Sequence, residues 1–116
     1  MAQKFNKTCE FCRIIKNKDF DYEDQYAVAF EPLNPVTPGH LLIVPKDHTP
    51  DAGHNTRVFA RTAHFAGQLA HESRYDYNLI TSSGPFASQT VYHLHIHFVP
   101  RREEDGLLLP WGGIED

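Results

Sequence analysis

Three histidines stand at alternate positions of one short segment of the chain. The segment YHLHIHFVP runs from Tyr92 to Pro100 and contains His93, His95 and His97. A neutral imidazole is a competent nucleophile toward phosphorus near neutral pH, and a neighbouring imidazole can donate a hydrogen bond to a phosphate oxygen. The residue types and their spacing therefore favour phosphoryl chemistry that is divided among neighbouring rings.

The residues alone leave two other interpretations open. In the first, the histidines are ordinary solvated or core residues, although regular alternation in a chain with eight histidines counts against coincidence. In the second, all three bind one metal ion, although three imidazoles on one flat strand do not converge easily on a tetrahedral ion.

Further hydrogen-bonding side chains stand near the three histidines in the sequence. Ser88, Gln89 and Thr90 come just before them, and His40 follows a turn rich in proline and glycine. Hydroxyl and amide groups, with backbone N–H groups, are suitable donors to an anion where lysine is scarce. We therefore expect these four side chains to contribute to a phosphate-binding pocket.

The chain has two cysteines, Cys9 and Cys12, in the sequence TCEFCRII. In a reducing compartment a C-x-x-C pair more often binds a metal or takes part in redox chemistry than forms a structural disulfide. The motif is a weak signal by itself, and two free thiols remain the alternative interpretation.

The alternating segment predicts a strand over residues 91–99, because side chains at every second position share one face. The histidines would then lie on one face, while Tyr92, Leu94, Ile96 and Phe98 form the buried face. The sequences QYAVAFEP, HLLIVP and DYNLITS predict three more strands, and FCRII predicts a short helix after the cysteines.

An amphipathic helix is predicted from about residue 55 to residue 73, where apolar residues recur at intervals of three and four. Strands joined by loops, together with one long helix, indicate an α+β fold with an antiparallel sheet packed on that helix. We assign residues 1–116 to a single domain, because this length and 41% hydrophobic residues suit one globular core.

Net charge and the distribution of apolar residues argue against nucleic-acid, membrane and secretory functions. A net charge of −4 argues against charge-driven binding of nucleic acid. No apolar run approaches the roughly 18–20 residues that span a membrane, so we expect no membrane partner. The start MAQKFNK lacks the apolar core of a signal peptide, and we expect a cytoplasmic protein. The run RREEDG at residues 101–106 predicts a solvated loop.

The three histidines, with Leu94, Ile96, Phe98 and Val99 between and after them, match the motif that names the histidine-triad (HIT) family of nucleotide hydrolases and transferases. CEFCRII, PGHLLIVPKDH and QTVYH also resemble that family and occur in its order. The resemblance covers nearly the whole chain. It implies an antiparallel sheet of about five strands on one long helix, and a homodimer with a continuous sheet.

The resemblance also implies a mechanism. His95 would attack the α-phosphorus of a nucleotide to form a covalent nucleotidyl-enzyme, which water then hydrolyses. His40 and His97 would contact the phosphate, while Gln89 and Thr90 would bind it or relay a proton. The expected substrates are nucleoside phosphoramidates, adenylylated compounds or dinucleoside polyphosphates, and the chemistry itself would need no cofactor. The alternatives are a transferase that uses phosphate or a sugar phosphate as acceptor, and a nucleotide-binding module with little turnover.

The family pattern also implies a nucleoside pocket, from which this chain departs at two positions. Ser82 stands where many members have an asparagine that contacts the nucleotide, and Pro32 stands where many have an aspartate that holds the ribose. Asn34 is a nearby substitute for that aspartate. The expected nucleoside-binding residues are Phe11, Ile14, Phe30, Leu33, Asn34 and Ser82.

A zinc-binding branch of the family has a cysteine knuckle, here at about residues 9–16. The resemblance implies a structural Zn²⁺ site formed by Cys9, Cys12, His48 and His93. An apolar tail at about residues 106–116 contains Trp111. It would pack on the core or on the dimer partner, or it would border the nucleotide site.

Overall fold

The structure, a computed structural model, describes residues 5–111, which form one five-stranded antiparallel sheet with two helices. The strand order is β1-β2-β3-β5-β4. An α+β fold with about five strands is thereby confirmed. The elements are α1 (Glu10–Lys16), β1 (Tyr22–Glu23), β2 (Ala27–Phe30), β3 (Leu41–Pro45), α2 (Thr56–Ser73), β4 (Asp76–Ile80) and β5 (Ile96–Arg101), with a short 3₁₀ helix at Pro85–Ala87 before β5.

The long helix α2 forms where the apolar spacing predicts it. Its N-cap is Asn55, whose side-chain oxygen accepts a hydrogen bond from the Val58 N–H at 3.1 Å. It ends at Arg74, which adopts the left-handed conformation common after helices. Its apolar side packs on one face of the sheet, and the core there contains Ala27, Ala29, Ile43, Phe65, Ala66, Ala70, Ile96 and Phe98.

The opposite face of the sheet carries a second apolar cluster and the candidate site. Phe11 of α1 packs there against buried side chains of β2 and β3, including Phe30 and Leu42. Leu42 is the cross-strand partner of His97, so both side chains lie on this face. Helix α1 therefore covers part of the face and stands beside the third histidine.

The predicted strand over residues 91–99 is wrong in its first half, because β5 begins at Ile96. Before that point the backbone bonds to the loop after β3, with the Leu94 N–H donating to the Thr49 carbonyl at 2.7 Å. The prediction that Tyr92 is buried is also wrong, since 49% of its surface is exposed. Leu94, Ile96 and Phe98 are buried as predicted.

Residues 101–106 combine the end of a strand with a loop. Arg101 belongs to β5 rather than to the predicted loop, and it donates to the Asp105 carboxylate at 2.8 Å. Arg102 donates to the Thr37 hydroxyl at 2.7 Å. The loop that follows β5 exposes Arg102, Glu103, Glu104 and Gly106, as the charge of this run predicts.

Only part of the apolar tail belongs to the described residues, and residues 112–116 lie outside them. Within the described part, Leu108 and Trp111 are largely exposed. No helix within residues 5–111 has both the length and the apolar character to span a bilayer.

Candidate active site and metal centre

Four side chains from three parts of the chain converge beside the sheet. Cys9 and Cys12 stand at the start of α1, His48 in the loop after β3, and His93 just before β5. One ligand atom from each lies within 4.8 Å of all the others. The four residues predicted as metal ligands are thus positioned to bind a metal ion.

The separations within this cluster fit a tetrahedral ion. The Cys9 Sγ–His93 Nδ1, Cys12 Sγ–His48 Nδ1 and Cys12 Sγ–His93 Nδ1 distances are 3.4, 3.5 and 3.6 Å. The two Nδ1 atoms of His48 and His93 are 3.1 Å apart. Metal bonds of about 2.3 Å to sulfur and about 2.0 Å to nitrogen require about 3.5 Å between sulfur and nitrogen and about 3.3 Å between nitrogens.

Protonation within the cluster also suits a cation. His93 Nε2 donates to the Pro45 carbonyl at 2.8 Å, which leaves the Nδ1 lone pair directed at the cysteines. Burial raises the pKa of Cys12 to about 11, so this thiol needs a nearby positive charge to become a thiolate at neutral pH.

His95 is fixed by a different backbone contact. Its Nδ1 lies 2.9 Å from the carbonyl oxygen of His93. A carbonyl only accepts hydrogen bonds, so Nδ1 carries the proton and the Nε2 of the neutral ring keeps a free lone pair. The Phe11 ring packs edge-on against this imidazole, with centroids 5.3 Å apart. The geometry thus presents a nucleophilic nitrogen on a supported ring.

His40 and His97 form a hydrogen-bonded pair with a defined direction. The Val36 N–H donates to His40 Nδ1 at 3.1 Å, and His40 Nε2 lies 2.9 Å from His97 Nδ1. Because a backbone N–H only donates, neutral His40 carries its proton on Nε2 and donates it to His97. His97 Nε2 then carries the remaining N–H, which is available as a donor in the cleft.

Burial keeps this pair neutral at physiological pH. It lowers the pKa of His97 from 6.5 to about 4, and the neighbouring His95 and His40 rings act in the same direction. Burial also lowers the pKa of His40. The site consequently offers a neutral hydrogen-bond donor to an anion rather than a fixed positive charge.

A cleft of about 560 Å³ contains most of the residues predicted for the nucleotide. His40, His95, His97 and Thr90 contribute to its lining, as do the acidic residues Glu10, Asp19 and Glu31, and no lysine or arginine among residues 5–111 does so. Phe11 and Phe30 also line it, with ring centroids 5.6 Å apart. The other lining residues predicted from the sequence are Ile14, Leu33 and Asn34, and Pro32 also lines the cleft.

Three predicted site residues lie outside this lining, namely Ser82, Ser88 and Gln89. The buried Gln89 side chain accepts from the Gly84 N–H at 2.9 Å and donates to the carbonyls of Pro50 and Val91 at 2.7 and 3.1 Å. Its amide thus holds the loop before the histidines. Ser88 follows the 3₁₀ helix in a left-handed conformation with φ of 64°.

Two anchoring residues near the site were not predicted from the sequence. Arg102 donates to the Thr37 hydroxyl at 2.7 Å and to the Pro38 carbonyl at 3.0 Å, which holds the turn that precedes His40. Asp51 accepts from the Ser83 hydroxyl at 2.6 Å, and hydrogen bonds from Ser83 and His54 lower its pKa to about 2. No local sequence pattern signals either contact, because the partners are far apart in the chain.

Comparison with known proteins adds independent observations. The protein-family model described as the HIT domain matches residues 13–104 of this chain. The adenosine 5'-monophosphoramidase of Saccharomyces cerevisiae is 36% identical over 109 residues, covering 89% of this chain and 69% of that protein. An adenylylsulfatase of Arabidopsis thaliana is 31% identical over 108 residues, covering 85% of this chain and 55% of that protein. A Zn-bound histidine triad family protein from Mycobacterium smegmatis has 33% identity and a TM-score of 0.78, covering 87% of this chain and 80% of that one.

Proposed function

The chain belongs to the HIT family, and we propose that it hydrolyses nucleotides at the α-phosphate through a covalent nucleotidyl-histidine intermediate. The relatives named above include nucleotide hydrolases, which supports a hydrolase in general terms. Nucleoside phosphoramidates and adenylylated compounds are the proposed substrate classes, together with dinucleoside polyphosphates. The observation that carries the proposal is the hydrogen bond from His95 Nδ1 to the His93 carbonyl, which leaves Nε2 free for attack.

In the proposed first step, His95 Nε2 forms a bond to the α-phosphorus while the bond from phosphorus to the leaving nitrogen or oxygen breaks. A departing amine takes up one proton, which we propose passes to it from a water molecule through the Thr90 hydroxyl. In the second step, the oxygen of that water, which has given up this proton, bonds to phosphorus, the bond to Nε2 breaks, and the nucleoside monophosphate leaves. When the leaving group is an oxygen that departs as an anion, the water's proton passes to the solvent instead. Each step needs a donor to the phosphate oxygens as charge accumulates on them.

His97 is the donor that we assign to a non-bridging phosphate oxygen. Its Nε2–H is set by the chain of hydrogen bonds from the Val36 N–H through His40. A neutral donor fits a cleft to whose lining the described part of the chain contributes no lysine or arginine. The aromatic rings of Phe11 and Phe30 would hold the nucleobase, and Asn34 would contact the ribose.

We propose Zn²⁺ as the metal, held by Cys9, Cys12, His48 and His93 in a structural role. Two thiolates and two imidazoles are a common closed zinc set, and Zn²⁺ supplies the charge that stabilises both thiolates. Elemental analysis of purified protein should then give one zinc per chain. Substoichiometric zinc, with a Cys9→Ser variant that is as stable as the wild type, would contradict this assignment.

The experiment for the main proposal measures release of AMP from an adenosine phosphoramidate at neutral pH. Wild type should turn the substrate over, and His95→Asn should lose nearly all activity because asparagine cannot attack phosphorus. Intact-mass spectra of quenched wild-type reactions should reveal a nucleotidyl adduct that is absent from the variant. Equal AMP release by both proteins would refute the assignment of His95.

Other outcomes separate the alternatives. AMP binding without release would indicate a binding module, and acceleration by inorganic phosphate with a nucleoside diphosphate as product would indicate a transferase.

We also propose a homodimer that has no nucleic-acid or membrane partner and is located in the cytoplasm. The reduced thiols that the metal site requires support a reducing compartment.

A further inference from the structure

A second, polar cavity of about 480 Å³ lies beside the nucleotide cleft. The two cavities share Glu10, Thr90 and Val91 in their linings. His95 and His97 line the cleft and do not line the polar cavity. The two spaces therefore meet at one wall, and the reactive imidazoles lie on one side of it.

The geometry of phosphoryl transfer determines on which side of phosphorus the leaving group departs. The attacking and leaving atoms lie roughly in line on opposite sides of phosphorus. A nucleotide attacked by His95 from within the cleft therefore directs its leaving group away from that ring. Thr90, which is exposed and lines both cavities, stands on the boundary that such a group would cross.

We infer that the polar cavity is the leaving-group subsite and that it takes an amine of about amino-acid size with a carboxylate at its far end. This inference rests on the proposed function and selects among its substrate classes. The cavity volume falls within the range of roughly 300–1,000 Å³ that is typical of small-molecule sites.

The charges around the cavity determine where the carboxylate lies. Arg13 lines the polar cavity and not the cleft, and one of its N–H groups donates to the Lys7 carbonyl at 3.3 Å. A guanidinium has five N–H donors, so several remain for a carboxylate, which it can bind with two parallel hydrogen bonds. The anionic end of the leaving group is therefore assigned to the Arg13 side.

Glu10 is an exposed residue that lines both cavities. An amine with a neutral spacer would place its carboxylate beside Arg13 rather than beside Glu10. A polyphosphate leaving group carries negative charge from the scissile bond onward, where Glu10 adds a like charge. The inference therefore selects phosphoramidates among the proposed substrates.

Cys9 and His48, which are assigned to the metal, also line this cavity, and three other polar residues of the lining can contact such a spacer. Tyr92, which the sequence places on the buried face, is half exposed and contributes to this cavity instead. Asn6 and Thr8 supply an amide and a hydroxyl on the same lining. These groups hydrogen bond to a polar chain without adding charge.

The test compares three adenosine 5'-phosphoramidates. In the first the nitrogen is unsubstituted, in the second it carries a short chain ending in a carboxylate, and in the third the same chain ends in a neutral amide. Wild type should show a kcat/KM for the carboxylate compound about tenfold above that for the amide compound, the size expected for a charge-assisted hydrogen bond.

Arg13→Ala should remove this preference while changing kcat/KM for the other two compounds less than about twofold. Arg13→Lys should restore part of it, because lysine keeps the charge and loses the paired geometry. Arg57→Ala is the matched control, since Arg57 is exposed on α2 and lines neither cavity. Metal content is measured for every variant, because Cys12 lies on the same helix as Arg13.

Two outcomes would overturn the inference. The first is equal kcat/KM of wild type for the carboxylate and amide compounds, and the second is an Arg13→Ala variant that slows all three compounds alike. If wild type releases no AMP from the unsubstituted compound, the proposed function fails separately. Equilibrium binding of the three compounds to His95→Asn then decides: a carboxylate preference that Arg13→Ala abolishes upholds the subsite, and equal binding refutes it.

Discussion

At the scale of single residues, hydrogen-bond partners distinguish three chemically identical side chains. His93 donates from Nε2 to a carbonyl and keeps Nδ1 for the metal cluster. His95 donates from Nδ1 and keeps the Nε2 lone pair free, which is the atom proposed to attack phosphorus. His97 accepts at Nδ1 from His40 and keeps an Nε2–H as a donor. The alternation in the sequence therefore brings the rings together, and the surrounding carbonyl and N–H groups differentiate them.

The partly buried His97 gives a prediction about stability and pH. Its pKa is about 4 in the folded protein and 6.5 when unperturbed, so between these values the unfolded chain binds a proton that the folded chain does not. Its contribution to the free energy of unfolding is therefore complete above pH 6.5 and is lost as the pH falls toward 4. Urea unfolding of wild type should show a steeper loss of stability from pH 7 to pH 5 than His97→Asn.

The exposed His64 provides the control for this experiment, because its environment on the outer side of α2 is solvent. His64→Asn should keep the wild-type pH dependence. Parallel curves for wild type and His97→Asn would show that the imidazole at position 97 gains its proton equally in both states, contrary to the burial argument.

Gln89 is a residue whose hydrogen-bond partners could not be predicted from the sequence. Its position beside Thr90 and the histidines predicts a phosphate contact, whereas in the structure its amide is used by three backbone groups of the surrounding loops. Two of these groups, at Gly84 and Val91, are near in sequence, but the Pro50 carbonyl is 39 positions away. A partner at that separation has no signature in the local pattern.

At the scale of elements, the cluster of Cys9, Cys12, His48 and His93 joins parts of the chain that also form the 560 Å³ cleft. Cys9 and Cys12 place the start of α1 against His93 before β5, and the same helix contributes Phe11 and Ile14 to the cleft lining. A metal ion held by this cluster would therefore fix the position of one wall of the cleft, although none of the four residues lines it.

This connection predicts that removing the metal weakens nucleotide binding at a distance. Chelation should lower the thermal midpoint and should also raise the Kd for AMP by about tenfold, because α1 loses its attachment and must be ordered on binding. Calorimetric titration before and after chelation, followed by addition of zinc, measures both effects. Cys12→Ser should behave like the chelated protein.

His54→Ala is a suitable comparison, because this exposed histidine bonds to Asp51 and lies outside the metal cluster. It should leave both zinc content and AMP affinity near wild type. Unchanged AMP affinity in fully demetallated, folded protein would mean that α1 holds its position without the metal.

Arg102 provides a second prediction at this scale, because it joins the end of the sheet to the turn before His40. Arg102→Ala removes its hydrogen bonds to Thr37 and Pro38 and frees the backbone that presents the Val36 N–H to His40. We expect kcat to fall by about tenfold, a typical cost for one charged hydrogen bond, with a smaller change in KM.

Arg102→Lys should recover part of this loss, and Arg74→Ala, at the exposed end of α2, should have no effect. A drop in the thermal midpoint with unchanged kcat would assign Arg102 to stability alone. The ratio of kcat to KM effects is therefore the decisive measurement.

Some helices and strands can be predicted from the sequence pattern, and others cannot. Helix α2 and strands β2 and β3 follow from periodicity and composition, since burial on one or both faces is recorded in the order of apolar residues. The start of β5 does not follow, because His93 turns into the metal cluster and the backbone before Ile96 bonds to a distant loop. Strand β1 has two exposed residues and exists through pairing with β2, so it carries no pattern of its own.

At the scale of the whole molecule, the two edges of the sheet differ. Edge strand β1 is two residues long, and Glu23 on it pairs with Lys46 at 2.8 Å, which are features that discourage further pairing. The other edge, β4, is five residues long and exposes Tyr77, Leu79 and Ile80 by at least 40% each. An apolar edge of this length is a surface for pairing with another chain.

We therefore expect two copies to pair through β4, which would give the homodimer with a continuous sheet that the HIT resemblance implies. Leu79→Lys should shift the protein to a monomer in sedimentation experiments, because a lysine on each partner places like charges across the interface. Phe86→Lys is the matched control, since this phenylalanine is also exposed but lies in the 3₁₀ helix before β5 rather than on β4 or in the tail. A monomeric wild type at high concentration, or equal dissociation by both substitutions, would remove β4 as the interface.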